Sequence, residues 1–201
     1  MEAVKKNLTK PVPLHVNWTF CFGGISFFLF LVLVVTGILL MIYYRPTTGE
    51  AYESVVVITN IVPYGWLIRG LHRWAADLMV LMVILHMIRV FVYGAYKPPR
   101  DFNWVVGVIL LILTLAFGFS GYLLPWNQVS YWATTVVTDA TGALPLIGEP
   151  LKFFVRGGPE VSQMTLSRFF TLHVVVLPAV TVVFLFLHFG MLRKQGISGP
   201  L

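Results

Sequence analysis

The stretch Leu71–Tyr93, LHRWAADLMVLMVILHMIRVFVY, decides how this chain is read. It is long enough to cross a bilayer, which takes about 20 helical residues, and its interior LMVLMVIL is unbroken apolar sequence. Yet it carries His72 and His86, with Arg73, Asp77 and Arg89 beside them. Ionisable groups are costly inside a membrane, so their presence points to a task there. Further along, Phe169–Leu192 repeats the design, with His173 and His188 separated by 15 residues against 14 in the first stretch. At about 1.5 Å and 100° per residue, that interval rises about 21 Å and comes back close to the starting face. Each stretch therefore predicts two histidines on roughly one face, one toward each side of the membrane.

Two more stretches complete the set. No Asp, Glu, Lys or Arg occurs between Lys10 and Arg45, between Asp101 and Asp139, or between Arg168 and Arg193. The predicted spans are residues 18–44, 71–93, 103–126 and 169–192, within a single domain covering residues 1–201. Composition agrees: 58% of the 201 residues are apolar and 11% charged, against about 25% charged in soluble domains. The net charge of +6 comes with no basic stripe or nucleic-acid motif, so nucleic acid is excluded as a partner. One cysteine, Cys21, excludes an internal disulfide and a zinc site built on several thiolates. The first span is too long for a signal-peptide apolar region.

Orientation follows from Lys and Arg placement. An even number of spans puts both termini on one side, where Lys5, Lys6, Lys10, Arg89, Lys97, Arg100, Arg193 and Lys194 fall in short segments. The opposite side has Arg45, Arg69, Arg73, Lys152, Arg156 and Arg168, spread over longer loops with Glu50, Glu53, Asp139, Glu149 and Glu160. The termini are expected on the cytoplasmic or stromal side. In the long third connection, VSYWATTVV and EPLKFFVR are expected to form short amphipathic helices at the interface.

The two histidine-bearing spans run in the same direction, so His72 can face His173 and His86 can face His188. A single histidine on an apolar helix is more often a hydrogen-bonded core residue than a ligand. Four of the five in the chain falling into two level pairs favours ligation, and facing imidazoles suit the axial positions of a haem iron. His15, ahead of the first span, reads as a surface residue. Glycines repeat the 14-residue interval as Gly23 with Gly37 and Gly107 with Gly121. Plain helix packing could explain either pair alone, but the two at the histidine levels predict clearance for planar cofactors. Gly37 and Gly121 go with His72 and His173, and Gly23 and Gly107 with His86 and His188. Arg69 and Arg73 beside His72, Arg89 three residues after His86, and Arg193 are candidate partners for haem propionates, carboxylates for which arginine presents a planar fork. Asp77 falls about 140° around the helix from His72, away from the haem stripe, and is expected to be neutral or to contact a partner chain.

The strings HVNWTFCFGG, GWLIRGLHRW, ILHMIRV, KPPRDFNWVVGV, GFSGYLLPW, TLSRFFTLH and RKQGISGPL make the chain resemble the cytochrome b6 family, the four-helix haem subunits of cytochrome b6f complexes, and the closely similar short cytochromes b of bacterial menaquinol:cytochrome c reductases. The resemblance runs from about Pro11 to Leu201. It implies an all-α membrane protein, a four-transmembrane-helix bundle enclosing two stacked b-type haems. His72 and His173 would be the axial, metal-binding ligands on the positive side, and His86 and His188 those on the negative side. It further implies a haem c held by one thioether at Cys21. Asn127 stands in LPWNQ where an aspartate is expected, Asp77 where a small residue is usual, and the chain begins later than typical members.

The resemblance also implies a function. The chain would be a subunit, not catalytic alone, of a quinol–cytochrome c or plastocyanin reductase in an energy-transducing bacterial plasma or thylakoid-type membrane, with quinol and quinone as substrates. Its Pro-Glu-Trp-Tyr quinol-oxidation signature is absent from these residues, so a subunit IV-like partner is expected, with a Rieske iron-sulphur protein, a c-type cytochrome and a second copy in a homodimeric complex. The rival readings are a haem-bearing membrane anchor of a hydrogenase or formate dehydrogenase, and a non-redox transporter subunit.

Overall fold

A computed structural model describes residues 13–198 of the chain. Lys5, Lys6 and Lys10, counted above on the terminal side, lie outside the described residues, as does the end of the last quoted string. The described residues are helical or irregular and contain no strand. A 3-10 turn, Trp18–Cys21, leads into α1, Phe22–Met41; then come α2, Ala51–Asn60; α3, Gly65–Val92; α4, Asp101–Leu123; α5, Gln128–Gly142; α6, Gly148–Arg156; α7, Gln163–Thr171; and α8, Leu177–Gln195, joined to α7 by a π-helical turn, Leu172–Val176.

Four helical stretches are long and apolar enough to cross a membrane: Trp18–Met41, Gly65–Val92, Asp101–Leu123 and Gln163–Gln195. Large apolar side chains such as Phe28, Trp74, Phe91 and Phe186 are exposed along them, and a helix that is apolar all round belongs in lipid. The chain is an integral membrane protein.

The α3 helix starts six residues earlier than the predicted span. The apolar window opens only at Leu71, because Arg69 and Gly65 precede it, but the helix itself begins where α2 ends. The sequence reading had no helix between the first two spans; Ala51, Ser54 and Ile58 form a buried face there, and α2 packs on α3. Gly65 allows the tight junction, since a Cβ at that position would overlap the Ile58 carbonyl. At 28 residues, α3 is about 42 Å long, more than the roughly 30 Å of hydrocarbon it has to cross.

Helix α1 packs mainly on α3, and α4 on α8. Among the buried side chains of the bundle, one on each span marks a belt at mid-height. Phe30, Met79, Thr114 and Thr181 are buried, and each lies midway, to within one residue, between the two glycines or two histidines of its own helix. These four positions fall between the two histidine levels.

Both ends are tied by hydrogen bonds. On the terminal side, His15 Nε2 lies 2.8 Å from the Ser198 carbonyl, so this half-buried histidine is a tie between the termini and not the surface residue expected. Arg100 donates to the Gln195 and Ile197 carbonyls, at 3.2 Å each. On the other side, both expected amphipathic segments are helices, α5 and α6. Asn127 caps α5: its Oδ1 accepts from Ser130 N at 2.9 Å, while Ser130 Oγ accepts from Asn127 N at 3.0 Å. An amide oxygen serves this cap as a carboxylate would, which accounts for Asn127 in the aspartate position. Buried Arg156 then staples α6 to α5 through Thr138 Oγ1 at 2.7 Å, the Thr135 carbonyl at 2.8 Å and Asp139 at 3.0 Å. Tyr44, just past α1, donates its hydroxyl to the Leu124 carbonyl at 2.7 Å; burial raises its pKa and keeps it a donor.

Candidate haem sites

The histidine intervals differ by one residue, yet the pairs are level. In α3, the 14 residues from His72 to His86 are regular α-helix. In the fourth span, His173 sits in the π-helical turn Leu172–Val176, with Pro178 at the start of α8. Proline has no N–H and its ring crowds the carbonyl four residues back, here that of Val174, and a π turn takes in one extra residue. The 15-residue interval therefore acts geometrically as 14. His72 faces His173 with ring centres 6.4 Å apart, and His86 faces His188 at 6.4 Å.

That separation fits a metal held between two imidazoles. Metal–imidazole bonds of about 2 Å, with ring centres about 1 Å behind the bonding nitrogens, span about 6 Å. The ring planes of the pairs are inclined at 67° and 80°, which rotation about a common nitrogen–metal–nitrogen axis permits. Among the described residues, no three histidine, cysteine, aspartate or glutamate side chains converge on one point. A bare ion would find too few donors, whereas a macrocycle with its own in-plane nitrogens needs only the axial pair.

The glycines meet the histidines at the predicted levels. A Cβ on Gly121 would lie 2.7 Å from His173 Cε1, one on Gly23 3.0 Å from His86 Cε1, and one on Gly37 3.3 Å from His72 Cε1. At Gly107 the nearest atoms, Met87 Sδ and His188 Cε1, are in ordinary contact at 3.8 and 3.9 Å. The sequence reading assigned this clearance to the cofactor rings; the groups in contact here are the imidazoles, because α1 carries the glycines against α3 and α4 against α8. Gly121→Ala is thus expected to displace His173 and to weaken or abolish the haem signal of its pair, whereas Gly118→Ala, where a Cβ meets nothing within 4 Å, leaves it intact. Reduced-minus-oxidised spectra of membranes containing the two variants check this, and equal spectra would count against it.

Two contributors were missed in the sequence. Thr36 Oγ1 lies 2.8 Å from His72 Nδ1 and donates to the Val32 carbonyl at 2.7 Å. Ser120 Oγ lies 3.0 Å from His173 Nδ1 and donates to the Ala116 carbonyl at 2.7 Å. With each hydroxyl proton committed to a carbonyl, the oxygen presents a lone pair to the ring, so Nδ1 carries the hydrogen and Nε2 is left as the metal-binding nitrogen. The available signal was a hydroxyl residue immediately before the glycine, Thr36-Gly37 and Ser120-Gly121, against Phe22-Gly23 and Val106-Gly107 at the other level.

The arginines divide. Arg89 lies with its guanidinium carbon 3.4 Å from the centre of the Phe20 ring, and its Nε and one terminal nitrogen are buried without a partner among the described residues, a setting that fits an anionic group. Arg69 donates to Thr59 Oγ1 at 3.3 Å, and Arg193 is exposed near the end of α8. Arg73 departs from its expected place beside the haem: its side chain is 70% exposed and pairs with Asp77 at 3.1 Å on the outer face of α3. Asp77 thus has its counter-charge one helical turn away on the same helix, where the pair largely cancels its charge. Asp77→Asn is expected to leave both b-haem spectra unchanged, and loss of either would overturn this placement. Cys21 is exposed at the head of α1, two residues before the glycine that meets His86.

A sequence model of the family described as cytochrome b/b6/petB matches residues 7–196. This chain belongs to the cytochrome b/b6 family. It is 52% identical over 202 residues to cytochrome b6 of Gracilaria tenuistipitata var. liui, covering 100% of this chain and 94% of that one. Its fold superposes with a TM-score of 0.91, at 31% identity and over 99% of its length, on a chain of a hyperthermophilic respiratory complex III. It spans 53% of that chain, about half of the solved relative. Cytochromes of the b/b6 family hold haem b, and the two imidazole pairs are the residues here that fit it.

Proposed function

We propose that His72 with His173, and His86 with His188, are the axial ligands of two b-type haems, and that the chain relays electrons between them across the membrane. Membership of the cytochrome b/b6 family makes it an electron-transfer subunit of a quinol–cytochrome c or plastocyanin reductase, and sets aside the hydrogenase-anchor and transporter readings. The observation that carries the ligand assignment is the pair of matching 6.4 Å imidazole separations. Bound haem supplies reversible one-electron carriage. The chain's residues supply the rest. Thr36 and Ser120 hold two of the ring tautomers, the glycines let the imidazoles sit against the helix backbones, and the belt of Phe30, Met79, Thr114 and Thr181 separates the two levels.

The finer reading adds a third haem, of c type, on Cys21, and quinol and quinone as substrates. Arg89, with Arg193 at the same end, is assigned to the propionates of the His86 and His188 haem. The proposed partners are a subunit IV-like C-terminal half of cytochrome b, a Rieske iron-sulphur protein, a c-type cytochrome and a second copy of the complex. The positive charge of the terminal side supports placing both termini on the cytoplasmic or stromal face. Purification of the intact assembly, followed by quinol-dependent reduction of candidate c-type cytochromes and plastocyanin, tests the proposal. Turnover with spectra of two b haems is the expected result; an assembly without b-haem absorption overturns it.

A further inference from the structure

The two histidine pairs are alike in spacing and unlike in what holds their second nitrogens. His72 and His173 both have a hydroxyl oxygen within hydrogen-bond distance of Nδ1. His86 Nδ1 and His188 Nδ1 are buried with no hydrogen-bond partner among the described residues. Backbone carbonyls of Leu33, Phe117 and Asn103 approach His72, His173 and His188 in turn, so the hydroxyls are what the first pair has and the second lacks. The contrast has a local cause. At one level the residue before each glycine is Thr36 or Ser120, and at the other it is Phe22 or Val106. Since 14 residues separate the equivalent positions on each helix, Val106 occupies toward His188 the place that Ser120 occupies toward His173.

A ring that gives its Nδ1 hydrogen to an acceptor is the more basic donor at Nε2. A more basic axial ligand favours the oxidised, more positive iron, and second-shell hydrogen bonds are among the levers that set haem potentials. We propose that Thr36 and Ser120 are positioning residues that lower the reduction potential of the haem bound by His72 and His173, acting through the ring nitrogens and touching neither haem nor quinone. The inference rests on the axial assignment above.

Redox titration of the b haems in membranes containing the whole complex tests it. In Thr36→Val and Ser120→Ala, the haem of His72 and His173 is expected to move to higher potential while the other stays in place. Thr36→Ser and Ser120→Thr, which keep the hydroxyl, should return the wild-type value. A titration in which both haems are present and neither moves, or both move together, overturns the inference and leaves the ligand assignment standing. Wild-type membranes without two b haems overturn the assignment itself. Val106→Thr provides an arm that removes no existing contact: a near-isosteric hydroxyl placed beside His188 should lower the potential of the second haem alone. If the deletion variants fail to accumulate, that result decides, and an unmoved second haem counts against the proposal.

Discussion

Replacing His188 with leucine is expected to remove one b-type haem and leave the other. The two pairs share α3 and the fourth span but no ligand, and the buried belt at Phe30, Met79, Thr114 and Thr181 lies between them. An iron deprived of one axial imidazole here has no third histidine, cysteine or carboxylate converging on it among the described residues, so the site has no substitute ligand. His86→Leu should have the same outcome. His72→Leu and His173→Leu should delete the other haem. The expected effect is loss of half of the b-haem absorbance, with a single remaining component in a redox titration. The bundle should still assemble, because leucine suits an apolar helix and the belt is untouched. Two b-haem components in all four single variants would show that these histidines are not the axial ligands.

Cys21→Ser is expected to abolish covalent haem in the denatured subunit. The chain has one cysteine, exposed at the end of the 3-10 turn that opens α1, so its thiol is accessible for a thioether. Gly23, two residues on, lies against His86, which puts the attachment point at the level of the His86 and His188 pair. Arg89, with buried nitrogens lacking a partner among the described residues, lies at the same end over Phe20, the residue before Cys21. An attached haem would therefore have a cation near its own anchor. Haem staining after denaturing electrophoresis reads the outcome, since coordinated b haems dissociate while a thioether-linked haem migrates with the chain. A stained wild-type band that vanishes in Cys21→Ser is expected. No stain in freshly isolated wild-type membranes would refute the attachment and leave the two b-haem sites unaffected.

The parts that could be read from the sequence are those carried by rise along a helix. Charge-free intervals located three spans, and the fourth was recognisable despite Arg73, Asp77 and Arg89 because its apolar interior is continuous. The levels of the histidines and glycines followed from their intervals. The helix α2 was missed because a short helix packed on a longer neighbour needs only one buried face, and Ala51, Ser54 and Ile58 are too few to stand out beside the apolar spans. The early start of α3 was missed for a related reason: a hydropathy window finds where a helix enters lipid, while its actual first residue depends on the junction at Gly65.

By itself the sequence determined the membrane class, the number of spans, the two levels and the four histidines that occupy them. Each of these depends on spacing within one helix, and helix geometry converts spacing to height. Tertiary structure decided the rest. The rotation of each helix about its axis turns Gly121 toward His173 and the Arg73–Asp77 pair to the outer face; the π turn before Pro178 brings a 15-residue interval level with one of 14; and packing of α1 on α3 and α4 on α8 carries Thr36 and Ser120 to the imidazole nitrogens. Azimuth and interhelical contact are properties of pairs of helices, set by how their side chains pack, and no interval within a single helix records them.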